Sequence, residues 1–124
     1  MTDPVRLVSS RGDVEVVVDV TAGTPVILHW GAPLGGDARL DALRALHDRP
    51  IARGAADVVA PCAVVPEHGS GYTGRPGLLG HRPGGRDWSP RFAPDGPPEH
   101  TGGRLVVRSI DAVAELRLTT TFEL

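Results

Sequence analysis

Residues 13–20 read DVEVVVDV. On an extended backbone Val14, Val16, Val18 and Val20 fall on one side and Asp13, Glu15 and Asp19 on the other, the two-residue period of a half-buried strand. The preceding RLVSSRGD, residues 6–13, supplies a short strand and a turn at Gly12, so the two segments read as a hairpin. After the turn TAGT comes a third strand, PVILHW at 25–30, which GAPLGG at 31–36 breaks with glycines around a proline.

The pattern continues outward. Asp37 is placed to cap an amphipathic helix of about three turns through DARLDALRALHD, with Leu40, Leu43 and Leu46 every third residue and Arg44 four positions before Asp48. Pro50 ends it. DVVAPCAVV at 57–65 reads as a strand interrupted at Pro61, hence an edge or a bulge. Its Cys62, the only cysteine, has no partner for an internal disulfide and is expected to be a buried, inert thiol. Two more strands follow a loop at 93–103: RLVVRSI and AELRLTTTFEL. The second sets Leu116, Leu118, Thr120, Phe122 and Leu124 against Glu115, Arg117, Thr119, Thr121 and Glu123. About six strands, one short helix and Gly/Pro-rich connections predict a mainly β fold, an antiparallel β-sandwich. The last strand pattern runs unbroken to Leu124, and a terminal strand needs a partner, which predicts that residues 1–124 are the front of a longer protein.

Composition narrows the function classes. A net charge of −2, with 13 arginines spread along 124 residues and no lysine, gives no clustered basic footprint for nucleic acid or anionic lipid. MTDPVRLVSS has no charged region followed by an apolar one, and no apolar run approaches the roughly 20 residues of a membrane span, so a cytoplasmic protein is the expectation.

Residues 66–92, PEHGSGYTGRPGLLGHRPGGRDWSPRF, stand apart. They hold seven of the 16 glycines and three of the five aromatic residues, with no apolar run long enough for an element. Ser70 and Ser89 lack the G-x-S-x-G elbow of a nucleophilic serine. His29, His68, His81 and His100 match no zinc spacing, and GSGYTG lacks both the Lys-Ser/Thr and the helix of a phosphate loop. Glu67, Asp87, Asp95 and Glu99 include no pair whose separation sequence can set to the roughly 5 Å of a retaining glycosidase. A loop this long is uncommon without a role, and its aromatic content argues against disorder. Two readings stay open. Trp30, Tyr72 and Trp88 would stack on a sugar face while Glu67, Arg75 and Asp87 bond its hydroxyls; or Trp88 is buried under the loop and an ion pair of Arg86 or Arg91 ties the segment down.

Three segments together, HWGAPLG, VVPEHGSGYTGRPGLLGHRPGGRDWSPRF and ELRLTTTFEL, resemble the N-terminal domain of glycoside hydrolase family 36 α-galactosidases of the actinobacterial type, in order and spacing from about residue 5 to 124. The resemblance implies that 1–124 is part of a β-supersandwich preceding a (β/α)8 barrel and a smaller C-terminal β domain. It implies a retaining double displacement on terminal α-galactosyl groups of the raffinose and melibiose type. The two aspartates for that chemistry lie in the barrel, so this chain alone is expected to be inactive, with no cofactor or metal. It further implies that loops of the N-terminal domain line the barrel mouth, in oligomers the mouth of a neighbouring subunit. By that likeness the substrate-side or interface positions are Trp30, Glu67, Arg75, Asp87 and Trp88. Many members carry G-D-[FY]-R where this chain has Tyr72-Thr73-Gly74-Arg75, so Arg75 carries over and the acidic contact does not. On the residues alone, a free-standing carbohydrate-binding sandwich and a ligand-free interaction domain are the alternatives.

Overall fold

The valine-rich stretch forms the centre of a sheet in the computed structural model, which describes residues 3–48, 51, 53–54, 60 and 62–124. β1 (Val5–Val8), β2 (Glu15–Asp19) and β3 (Val26–Gly31) make an antiparallel meander in the order β1-β2-β3. The first turn is the expected one: Gly12 takes φ 73°, and Ser9 accepts its N–H at 2.9 Å. Val5 pairs with Val18 and Leu7 with Val16, so all four share one face.

A second sheet is built on β6 (Arg104–Asp111). β7 (Leu116–Glu123) pairs along its full length, from Arg104 opposite Glu123 to Asp111 opposite Leu116. Two short strands lie end to end along the other edge of β6, β4 (Ala93–Pro94) and β5 (Glu99–Thr101), inside the stretch read from sequence as loop. The sheets pack face to face: Leu7, Val16, Val18 and Val20 meet Leu105 and Val107, with Ile27 and Phe122 against them. The molecule is thus mainly β, two antiparallel sheets arranged as a β-sandwich, as the alternation predicted. β7 keeps its pattern, Leu116, Leu118, Thr120 and Phe122 half-buried and the residues between them exposed.

Where the structure departs from the sequence reading, the cause is tertiary. β2 is covered on both sides, not one: Glu15 is 1% exposed and Val17 is buried. The segment after β3 folds over this second face. Arg6 Nε lies 2.8 Å from Glu15 Oε1, the Leu34 N–H donates to Glu15 Oε2 at 2.9 Å, and Arg6 also donates to the Gly35 carbonyl. The helix, α1, is Leu40–His47, two turns; Arg39 stands at its N-cap with no side-chain bond, and Asp37 lies outside it. Arg44 bonds not Asp48 but Asp19 of β2, through two nitrogens at 2.7 and 3.1 Å. A forked, half-buried ion pair outweighs an exposed i,i+4 pair, worth a few tenths of a kcal/mol. His47 Nε2 donates to the Leu28 carbonyl at 2.9 Å, and Leu46 turns to solvent. Cys62 is exposed, contrary to the expected burial. Of the strand read at 57–65, residues 57–59 and 61 lie outside the described residues; Ala60 and 62–65 are not in a strand, though the Val64 N–H donates to the Pro25 carbonyl at 2.8 Å. Pro50 also lies outside the described residues.

Candidate functional site

The long segment 66–92 is ordered by its own backbone and by a buried polar hub at its base. Its first half closes on itself, with the Gly77 N–H donating to the Pro66 carbonyl at 2.9 Å around a single 3-10 turn, His68–Ser70. Its second half is a small hairpin, Arg82 N–H to the Arg86 carbonyl at 2.8 Å, turned through Pro83-Gly84-Gly85 with positive φ at both glycines. Asp87 follows with φ 55°, a left-handed conformation that a non-glycine residue adopts only when its surroundings impose it.

At the root of the loop two carboxylates hold successive amides. Asp111, at the end of β6, accepts the Arg91 N–H on Oδ2 at 2.7 Å, and on Oδ1 the N–H groups of Val113 and Ala114 at 2.8 and 3.0 Å. Glu67 accepts the Phe92 N–H on Oε1 at 3.3 Å and is bonded by Thr24 of the β2–β3 turn. Beside them, the Ser109 hydroxyl donates to the Gly23 carbonyl. One sheet's turn, the other sheet's central strand and the loop are thereby joined at one point.

The electrostatics of the pair differ. Burial pushes the Glu67 carboxyl up, against the hydrogen bonds from Phe92 and Thr24, and the nearby Asp111 charge adds to the rise. Amide donors, Ala114 first and then Arg91, hold Asp111 below the usual carboxylate range. Opposed shifts of neighbouring carboxyls are a pattern of acid/base pairs. Here they have a structural origin: Glu67 is 6% exposed and accepts from the Phe92 amide and the Thr24 side chain, while both oxygens of Asp111 accept from amides. The signs give opposite pH dependences. For Glu67 the folded value is raised, so its contribution is fully present below 4.5 and is lost as pH rises through the folded value; for Asp111 the contribution is present above 3.8 and lost as pH falls through its lowered value. Urea unfolding of wild type and Glu67→Gln at pH 7 and pH 5 checks the first: the wild type is expected to gain on the variant at the lower pH, and equal differences at both would refute it.

Above this base the loop exposes the residues singled out from sequence. Trp88 is 60% exposed, so the reading that buried it is overturned, and it meets the His68 ring in a T-shaped contact at 5.8 Å between centroids. Arg86 and Arg91 tie the loop by other means than the expected ion pair: Arg86 Nε donates to the Pro83 carbonyl, and Arg91 is held through its backbone. Trp88 lines a narrow crevice with Glu67, His68, Pro76 and Leu78. Asp87 lines an adjoining cleft of about 210 Å³ with Leu78, Leu79, His81, Arg82 and Leu116. Leu78 and Pro90 belong to both, so Asp87 and Trp88 flank one apolar divide. Arg82 fixes the cleft wall by donating to the Ala114 carbonyl at 2.7 Å. Arg75 is exposed and lines neither depression. Trp30, 73% exposed, lies on the core-side face of β3 opposite Val16, also outside both. Of the five positions, then, Asp87 and Trp88 are brought side by side with Glu67 beneath them, while Trp30 and Arg75 stand apart.

Sequence reasoning missed the base of this site: Gly23, Thr24, Ser109 and Asp111. A signal existed for one of them, since an aspartate closing a strand just before a short connection is the pattern of a side chain that bonds the turn amides. Among the described residues no group of three or more His, Cys, Asp or Glu is placed to hold a metal ion, and no helix is long and apolar enough to cross a membrane.

Fold and site together define a β-sandwich with an exposed loop on which Trp88 and Asp87 line two adjoining depressions. Over 115 residues, 93% of this chain, the sequence is 36% identical to a protein named alpha-galactosidase from Escherichia coli. The chain spans 15% of that relative's length. No family model matches the chain, and no solved structure matches it.

Proposed function

We propose that residues 1–124 are the N-terminal, non-catalytic part of a cytoplasmic α-galactosidase of the glycoside hydrolase family 36 type, within a β-supersandwich that docks on a (β/α)8 barrel. The observation that carries the reading is the alignment of nearly the whole chain with a small share of the Escherichia coli alpha-galactosidase. The barrel supplies the two carboxylates of a retaining displacement on terminal α-galactosyl groups. The chain's part is recognition at the mouth of that barrel, its own or, in an oligomer, a neighbour's. Trp88 offers an apolar ring to the sugar face and Asp87 a carboxylate to its hydroxyls, with Arg75 and Trp30 at the margin of the contact. Glu67 enters as a support for the loop, because its carboxylate is buried and engaged.

In the complete enzyme, Trp88→Ala is expected to raise KM for melibiose roughly fivefold and leave kcat within about twofold, the signature of a lost contact made equally in the ground and transition states. Steady-state kinetics on the purified variant checks this. An unchanged KM would remove Trp88 from the substrate side.

A further inference from the structure

The carboxylate at the end of β6 does more in this fold than close a turn. Asp111 is buried and bridges two pieces of backbone far apart in sequence: the β6–β7 connection, through Val113 and Ala114, and the loop root, through Arg91, itself 20 residues before Asp111. The next amide along, Phe92, is held by Glu67 from the opposite end of the loop. Trp88 lies three residues before Arg91 and Asp87 four, with Ser89 and Pro90 between, so little chain freedom separates the clamp from the exposed pair. The β6–β7 connection that Asp111 organises also reaches the Asp87 cleft, since Ala114 lines it and the Ala114 carbonyl anchors Arg82, another lining residue. One side chain thus holds both the loop root and the Ala114 anchor of Arg82.

We infer that Asp111 is the positioning residue of the sugar-facing surface, fixing through the Arg91 amide and the 112–115 connection the pose in which Asp87 and Trp88 meet a galactoside. The inference rests on the proposed function for the identity of the ligand, and its test separates the two.

The experiment uses the complete enzyme labelled with 5-fluorotryptophan, in which the Trp88 signal is identified by its loss in Trp88→Phe. Asp111→Asn keeps the size of the side chain but turns an NH2 group toward an amide donor. Val107→Ala, a truncation in the core between the sheets, serves as the control for general destabilisation. Asp111→Asn is expected to shift or broaden the Trp88 fluorine signal and to speed deuterium exchange of the peptide covering Arg91 and Phe92 about tenfold. KM for melibiose should rise about three- to tenfold at unchanged kcat. Val107→Ala should do none of these at a comparable loss of Tm. An Asp111→Asn enzyme with the wild-type Trp88 signal and wild-type exchange would overturn the inference, as would a Val107→Ala enzyme that moves both equally. If signal and exchange move while neither Asp111→Asn nor Trp88→Ala changes KM, the positioning role stands and the galactoside reading fails.

Discussion

Gly23→Ala is expected to destabilise the chain by at least about 3 kcal/mol, a drop in Tm of roughly 10 °C or more by thermal denaturation. A methyl group at this position would sit 1.8 Å from the Phe92 carbonyl oxygen, 2.3 Å from its carbon and 2.8 Å from the Ala93 nitrogen, all main-chain atoms with no side-chain freedom to yield. Relief requires the β2–β3 turn to move away from the root of the loop. That motion also pulls the Gly23 carbonyl from the Ser109 hydroxyl and Thr24 from Glu67, leaving buried polar groups unpaired. The appropriate comparison is Gly12→Ala, where φ is 73° but nothing lies within 4 Å, so only the backbone preference is lost, about 1 kcal/mol. Similar losses in the two variants would mean that the contact between turn and loop does not hold the sandwich together.

How much of this was legible in the sequence depended on how far away the deciding partner lay. The alternation of DVEVVVDV and of RLTTTFE reported strands directly, because side chains on one strand alternate between faces whatever the neighbours are. The Gly12 turn was local and was read correctly. What failed was local inference about non-local choices. Glu15 is closed over by Leu34 and by Arg6 of β1, and nothing within β2 announces that cover. Arg44 had an acidic residue four positions on but took Asp19, 25 residues back, where the environment is drier. Asp37 had the right chemistry for a cap, yet the helix begins at Leu40.

The candidate site divides along the same line. Composition alone set 66–92 apart as a long ordered loop, and Asp87 and Trp88 on it each line a depression. The support beneath them was not legible, since it is drawn from the β2–β3 turn, the end of β6 and the connection after it. Glu67 shows the limit most plainly: an acidic residue amid glycines reads as a free ligand group, but the fold spends it on the Phe92 amide. Residue type reports what a side chain is able to do; only the tertiary partners decide whether its lone pairs are left over to do it.

The chain's own carboxylates bear on where catalysis resides. Glu67 and Asp111 are buried and engaged by protein donors, while Glu99 pairs with Arg108 on the second sheet. A retaining cleavage needs two carboxyls about 5 Å apart on either side of one bond, both free to exchange a proton or attack carbon. The most direct measurement is therefore a paired assay with p-nitrophenyl α-galactoside: residues 1–124 alone, and the complete polypeptide that contains them. The account predicts turnover by the complete polypeptide and none by residues 1–124 at equal molar concentration; turnover by 1–124, or a complete polypeptide that binds galactosides without cleaving them, would contradict it.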